Sequence, residues 1–226
     1  MVVFDVDGTL VDTEYIAELA WNAAVVDMAL PFPDQIRQSV VGTSQADTDK
    51  LLSPYFPDQD TYKAFQAYTD SWFMDWIRAN GLPLKFYAKE TILMLNEKGI
   101  RCAFATSSCR ERIRFYSSLC PDLFTLPDFI ITGDQVRHGK PDPAIYQKVL
   151  AAADLSGSQC LSVEDSPAGI TSAFRAGIPV IGIPDRISLA KNIAEKCEEV
   201  FVSLKDVCEY LISSRALHRF SRNPIR

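Results

Sequence analysis

The chain has 226 residues, of which 47% are hydrophobic and 23% charged, and its formal net charge is −6. This composition is that of an ordinary soluble globular protein, and the acidic balance argues against nucleic-acid partners, which need a basic surface. No apolar run approaches the ~20 residues that a membrane span requires, so we expect no membrane partner.

The chain begins with a predicted buried strand that ends in two carboxylates. The β-branched and aromatic run at 2–6, closed by Gly8, is typical of a short strand. Asp5 and Asp7 lie at its C-terminal end, the edge where open α/β sheets bind ligands. Two like charges buried there need compensation, and a divalent cation usually supplies it. An Asp-rich turn without a ligand is the alternative, and the cost of an uncompensated pair disfavours it.

Residues 14–83 form a predicted all-helical segment. Helical periodicity covers 14–29, about 34–40, 44–53 and 59–79, with Gly and Pro residues between these stretches. No strand pattern occurs within the segment. Its many aromatic residues, including the tryptophans, are predicted to form its own core rather than a ligand cage.

Helical patterns and short apolar runs alternate after residue 83. Strands are predicted at 101–106, 129–131, 160–163, 178–183 and 199–202, and helices around 91–96, 110–119, 143–153, 167–176, 188–196 and 204–213. This alternation indicates right-handed βαβ units and a parallel sheet. We therefore predict an α/β core made of residues 1–13 and 84–226, with a helical domain, residues 14–83, inserted after the first strand.

The six cysteines favour a reducing compartment. None belongs to a C-x-x-C pair, and Cys102 and Cys160 lie in apolar strand patterns that predict buried thiols. We expect no disulfide framework. The N-terminus leads directly into a core strand, so no signal peptide is expected, and we predict a cytoplasmic protein.

Polar residues that could carry chemistry follow several of the predicted strands. Besides the first pair, Thr106 ends the strand at 101–106, Lys140 stands in Gly-Lys-Pro-Asp-Pro, and Glu164 and Asp165 follow the strand at 160–163. Because the C-terminal ends of parallel strands share one edge, these residues can converge although they are far apart in sequence.

Together these residue types suit phosphoryl transfer. Asp5 can attack phosphorus, and Asp7 can protonate the leaving oxygen and then activate water. Hard oxygen ligands from Asp5, Asp165 and a backbone carbonyl suit Mg²⁺. Lys140 can balance the negative charge of the phosphoryl group.

Hydroxyls and amides after the second strand can bind phosphate. Thr106 offers a hydroxyl, and the following amides at Ser107 and Ser108 open a predicted helix, whose N-terminus attracts anions. Each motif also has a structural interpretation. A lone lysine is most often a solvated surface residue, and Glu164-Asp165-Ser-Pro could simply cap the next helix.

With these sites in this order, the sequence resembles the haloacid dehalogenase superfamily, in particular its phosphatase and β-phosphoglucomutase-like branch. Asp5-Val-Asp7-Gly-Thr-Leu-Val-Asp12 is similar to the first motif of that family and Thr106 to the second. Lys140 matches the third motif and Glu164-Asp165-Ser the fourth. The resemblance covers nearly the whole chain.

The resemblance implies a Rossmann-like core with a small helical cap. It implies Asp5 as nucleophile and Asp7 as general acid and base. It also implies Mg²⁺ held by Asp5, the carbonyl of Asp7 and Asp165, with Glu164 acting through metal-bound water. Dehalogenases of the superfamily lack an acid two residues after the nucleophile, so Asp7 points to phosphoryl transfer, in which an alkoxide needs a proton.

Within this branch we predict a phosphatase acting on a small phosphorylated metabolite. Gln45 aligns with a mutase arginine that grips a second phosphate, and Ala17 with a mutase histidine, so both departures weaken a mutase. A hexose-phosphate mutase and a non-catalytic binding member remain the alternatives. No required protein partner is evident.

The cap residues that face the core are expected to select the substrate. Hydroxyls and amides there suit a sugar or polyol phosphate. The predicted substrate-binding residues are Glu14, Gly42, Thr43, Ser44, Gln45, Ser107 and Ser108.

Overall fold

The structure is a computed structural model that describes residues 1–30, 36, 45–186 and 188–213, without the side chains of 45–47. The chain divides into two compact units. One consists of Met1–Val11 and Leu84–Arg226, and the other is Asp12–Pro83. We refer to them as the core unit and the helical unit.

The core unit is built on a parallel sheet of six strands in the order β3-β2-β1-β4-β5-β6. The strands are β1 Val2–Phe4, β2 Cys102–Ala105, β3 Phe129–Ile131, β4 Leu161–Glu164, β5 Val180–Gly182 and β6 Glu199–Val200. β1 is central and fully buried because its three residues are all apolar. The predicted Rossmann-like parallel core is thereby confirmed.

Helices connect these strands. They are α4 Ala88–Glu97, α5 Arg110–Leu119, α6 Pro121–Phe124, α7 Ala144–Ala153, α8 Pro167–Arg175, α9 Lys191–Ala194 and α10 Leu204–Ser213. The apolar faces of α7 and α8 bury Tyr146, Val149, Ile170 and Ala173 in the same cluster as Val3 of β1. This packing fixes the helices that carry site residues.

The register of the sheet brings three strand ends together. Phe4 of β1 pairs with Phe104 of β2 on one side and with Val163 of β4 on the other. The residues that follow these three positions therefore emerge at the same edge. From β1, strands β2 and β3 are added on one side of the sheet and strands β4 to β6 on the other. Open α/β sheets form their binding crevice at such a switch point, here between β1 and β4.

The helical unit contains α1 Glu14–Asp27, α2 Gln45–Leu52 and α3 Gln59–Asn80. Its own apolar cluster includes Ala24, Leu52 and Phe65, and Trp21 packs edge-on against Phe65 with ring centroids 5.0 Å apart. Phe65 is thus a core residue and Trp21 packs against that core, which agrees with the prediction. The helix predicted at 34–40 lies outside the described residues except for position 36, which is helical.

Some predicted elements differ from those observed. α9 spans only Lys191–Ala194 instead of 188–196, and the four-residue helix α6 was not predicted. Helices this short make too few turns for a periodic apolar pattern to show in the sequence. None of the helices in the described part of the chain is long and apolar enough to cross a membrane.

Candidate active site

Asp5 lies at the buried C-terminal end of β1. Its backbone N–H donates to Val163 O at 3.0 Å, which ties the residue to β4, and its side chain accepts from Lys140 Nζ at 2.5 Å. Asp5 is only 6% exposed. Burial raises the pKa of Asp5 well above its usual value, and Lys140 opposes this shift. The chain therefore holds a carboxylate where it is costly to keep one ionised.

Lys140 is a buried cation that joins three strand ends. Its Nζ donates to Asp5 Oδ1 at 2.5 Å, to Glu164 Oε1 at 2.7 Å and to Ala105 O at 2.9 Å. Burial disfavours its charged form, but Asp5 and Glu164 outweigh that effect and raise the pKa of Lys140. The alternative of a solvated surface lysine is wrong, because Lys140 is 4% exposed.

Glu164 is the last residue of β4 and is completely buried. Its Oε1 accepts from Lys140 and also from Tyr146 Oη on α7. Its Oε2 has no hydrogen-bond partner among the described residues. A buried carboxylate oxygen without a partner costs ~1–3 kcal/mol or more, so this atom calls for a ligand.

The backbone packs tightly around Glu164 and Asp165. A Cβ on Gly169 of α8 would lie 1.8 Å from Glu164 Oε2. Gly8 has a φ of +87°, and a Cβ there would lie 2.2 Å from Asp165 Oδ2. Only glycine adopts this conformation readily and allows this approach. Ser166 also caps α8, because its Oγ accepts from Gly169 N at 3.1 Å. The segment Glu164-Asp165-Ser166 therefore both starts the helix and supplies acids to the site.

The acids form a cluster that fits a divalent cation. Asp5, Glu164 and Asp165 each place one oxygen within 4.8 Å of the others. These three acids outnumber the ammonium of Lys140, and a divalent cation would offset the excess of negative charge. Hard divalent cations such as Mg²⁺ take oxygen ligands, and the Oε2 of Glu164 has no hydrogen-bond partner in the described part of the chain that would compete for it.

Asp7 is held by two hydroxyl groups of the loop after β2 and by one of α5. Its Oδ2 accepts from Ser108 Oγ at 2.7 Å and from Thr106 Oγ1 at 3.3 Å, and its Oδ1 accepts from Tyr116 Oη at 3.0 Å. Thr106 Oγ1 in turn accepts from Ser108 N at 3.0 Å. The hydroxyl of Thr106, which the sequence suggested as a phosphate ligand, thus contacts Asp7 in this structure, and so does the hydroxyl of Ser108.

The remaining predicted substrate residues are less fully placed. Ser107 is exposed after β2, and Glu14 is the half-buried first residue of α1 in the helical unit. Gln45 is the first residue of α2, with its side chain outside the described part. The predicted residues Gly42, Thr43 and Ser44 lie outside the described residues.

Two tyrosines of the site were not predicted from the sequence. Tyr146 and Tyr116 are completely buried and donate to Glu164 and to Asp7. Both occupy the apolar faces of helices, where an aromatic residue is ordinarily part of the core. The available signal was the phenol itself, because a buried tyrosine hydroxyl usually has a hydrogen-bond partner.

The sequence of residues 2–183 matches the family of haloacid dehalogenase-like hydrolases. The chain belongs to this family. The resemblance predicted from the four motifs is thereby confirmed, as is the prediction that the protein is an enzyme. The match includes every motif residue from Asp5 to Asp165.

Named relatives extend over most of the chain. A phosphorylated carbohydrates phosphatase of Thermotoga maritima is 27% identical, with 91% of this chain and 98% of the relative covered. Hexitol phosphatase A of Escherichia coli is 28% identical over 80% of this chain and 81% of its own. The crystal structure of CbbY from Rhodobacter sphaeroides in complex with phosphate has a TM-score of 0.75 at 21% identity, and the coverage is 91% and 95%. This last likeness concerns the fold.

Proposed function

We propose that the protein is a Mg²⁺-dependent phosphatase that hydrolyses a small sugar or polyol phosphate through an aspartyl-phosphate. The observation that carries the proposal is the buried Asp5, which Lys140 binds. Asp5 is part of an acidic cluster at the switch point of the sheet. Two relatives, named a phosphorylated carbohydrates phosphatase and a hexitol phosphatase, support the phosphatase class and the choice of substrate.

In the first step, Asp5 acts as the nucleophile. One of its oxygens forms a bond to phosphorus while the bond from phosphorus to the ester oxygen breaks, and Asp7 gives its proton to that oxygen. The alcohol leaves, and the phosphoryl group stays on Asp5. Lys140, already within 2.5 Å of Asp5, balances the charge that gathers around phosphorus.

In the second step, water attacks the phosphorus of the aspartyl-phosphate. Asp7 takes a proton from this water as the bond between Asp5 and phosphorus breaks, so that inorganic phosphate is released and Asp7 is again ready to act as an acid. Asp7 stands two residues after Asp5 and is oriented by groups that belong to the core unit.

Asp5, Asp165, Glu164 and the main-chain carbonyl of Asp7 would hold the metal ion. When bound, a divalent cation supplies positive charge that offsets the repulsion between these carboxylates and a phosphate dianion. The orphaned Oε2 of Glu164 supports this assignment. The all-oxygen donor set suits a hard divalent cation such as Mg²⁺.

We further propose that the helical unit is a cap that selects the substrate. Its predicted contact residues are Glu14 and those at 42–45. Closure of such a cap would exclude water from Asp5 and complete the site only when a fitting substrate is present.

Phosphate release from a panel of esters tests the function. The purified protein, supplied with Mg²⁺, should release inorganic phosphate from sugar or polyol phosphates, and EDTA should abolish the release. Asp5→Asn should be inactive under the same conditions. Wild-type protein indistinguishable from Asp5→Asn on every ester would favour a binding protein instead.

The products separate the remaining alternatives. A mutase would return the phosphate to another position of the sugar, so that an isomeric sugar phosphate accumulates without free phosphate. Activity confined to aromatic or nucleotide esters would leave the phosphatase in place and overturn the sugar or polyol assignment.

A further inference from the structure

Tyr116 brings a buried phenol to the carboxylate of Asp7. It lies in the second half of α5, completely buried, and its Oη donates to Asp7 Oδ1 at 3.0 Å. The ring contacts Phe124, with centroids 6.1 Å apart, so the phenol is held from behind by apolar packing. The hydroxyl therefore has little freedom to turn away from Asp7.

The hydrogen bonds to Asp7 engage both of its oxygens. Ser108 Oγ and Thr106 Oγ1 donate to Oδ2, while Tyr116 Oη donates to Oδ1. Donors on two sides of a carboxylate fix its rotation as well as its position. All three donors belong to the core unit.

Arg112 supports the phenol from one turn earlier on α5. Residues four apart face each other on a helix, and the half-buried Arg112 lies near enough to Tyr116 to influence the pKa of its phenol. Burial raises the pKa of Tyr116 far above its usual value, Asp7 adds to this shift, and Arg112 opposes it. The geometry already makes the phenol the donor, since its Oη lies 3.0 Å from Asp7 Oδ1.

We propose that Tyr116 is a positioning residue that aims Asp7 at the ester oxygen of the substrate. This inference rests on the proposed function and names a part of the site that the four motifs do not contain. The simpler interpretation is that Asp7 merely satisfies a buried tyrosine. The two differ in one consequence, because a positioning role matters in proportion to how much the leaving group needs a proton.

Two phosphate esters, p-nitrophenyl phosphate and sorbitol 6-phosphate, differ in how much their leaving groups need a proton. Nitrophenolate leaves readily without a proton, whereas the alkoxide of sorbitol needs one. The quantity to compare is kcat/KM, since it covers the steps up to cleavage of the ester bond and excludes later hydrolysis of the aspartyl-phosphate. General acid catalysis contributes ~10²–10⁴-fold, and misaligning the acid should forfeit part of that.

Tyr116→Phe should lower kcat/KM for sorbitol 6-phosphate roughly tenfold or more and that for p-nitrophenyl phosphate by less than about threefold. In an Asp7→Asn background the same substitution should cause no further loss, because the group it orients is gone. Tyr210→Phe, the same chemical change on α10, is the matched control and should leave both values unchanged. Equal losses on the two esters, or no loss on either, would overturn the proposal.

Arg112→Gln provides a second route should Tyr116→Phe fail to fold. It leaves the buried ring in place and should give a smaller loss with the same preference for the alkyl ester. Losses that are equal on both esters would again count against a positioning role.

Different results would overturn the proposed function and the role of Tyr116. Wild-type protein as inactive as Asp5→Asn on every ester of the panel with Mg²⁺ would overturn the phosphatase, and the role of Tyr116 with it. An active wild type whose Tyr116→Phe variant loses both esters equally would overturn only the role of Tyr116.

Discussion

Replacing Lys140 with methionine tests the charge arrangement of the site. The ammonium makes hydrogen bonds of 2.5, 2.7 and 2.9 Å to Asp5, Glu164 and Ala105, and methionine would keep most of the aliphatic stem while removing the charge. Both carboxylates are buried, so they would face each other without a cation. Removing one partner of a buried ion pair typically costs ~3–5 kcal/mol.

For a chain of this length, that loss corresponds to a decrease in Tm of roughly 6–20 °C. Thermal unfolding in EDTA measures it. Mg²⁺ should raise the Tm of Lys140→Met more than that of the wild type, because the three carboxylates of the cluster then have no other cation. Lys148→Met, at an exposed lysine on α7, is the control and should change the free energy of unfolding by less than ~0.5 kcal/mol.

A Lys140→Met protein as stable in EDTA as the Lys148→Met control would refute this reasoning. It would mean that the ammonium of Lys140 forms no ion pair that stabilises the metal-free protein. An equal response of wild type and Lys140→Met to Mg²⁺ would show that the cation does not bind at the carboxylates around Lys140.

Three further changes probe the surroundings of the site and the helical unit. Gly169→Ala should weaken Mg²⁺ binding at least ~10-fold by calorimetry, since its Cβ would displace the buried carboxylate of Glu164; unchanged affinity would contradict this. Tyr146→Phe should weaken Mg²⁺ binding ~10-fold because Glu164 loses a donor, and tight binding would show that the phenol does not orient it. Phe65→Ala should destabilise the helical unit by ~3–5 kcal/mol, seen as faster hydrogen exchange in α3, because Phe65 is 2% exposed; unaltered exchange would argue against that cluster as its core.

The parallel core and the acidic cluster were predictable because their signals are local in sequence. Asp5, Lys140 and Asp165 each stand just after a short apolar run or in a turn before a helix, and a parallel sheet brings such positions to one edge. Their chemistry is also explicit in the residue type, since buried carboxylates and a buried ammonium need each other. Fold topology and charge balance were therefore sufficient to predict the cluster.

The orientation of Asp7 was not predictable, because it depends on contacts between residues distant in sequence. Tyr116 stands 109 residues after Asp7, and a tyrosine on the buried face of a helix resembles any other core residue. The sequence shows that Ser108 carries a hydroxyl, but only the structure shows that this hydroxyl points to Asp7 rather than to an open phosphate site.

The charges of the site bear on how its ligands bind. Asp5, Glu164 and Asp165 lie together while Lys140 pairs with only the first two, so acidic groups outnumber this cation where a phosphate dianion would enter. At a separation of 4 Å and an effective dielectric constant of 20, each like-charge contact costs about 4 kcal/mol, which is roughly a thousandfold in affinity. Lys140 cannot offset this repulsion alone, because it is already bound to two of the carboxylates. A divalent cation at this cluster would relieve that repulsion, so we expect phosphate esters to bind more weakly in EDTA than in the presence of Mg²⁺.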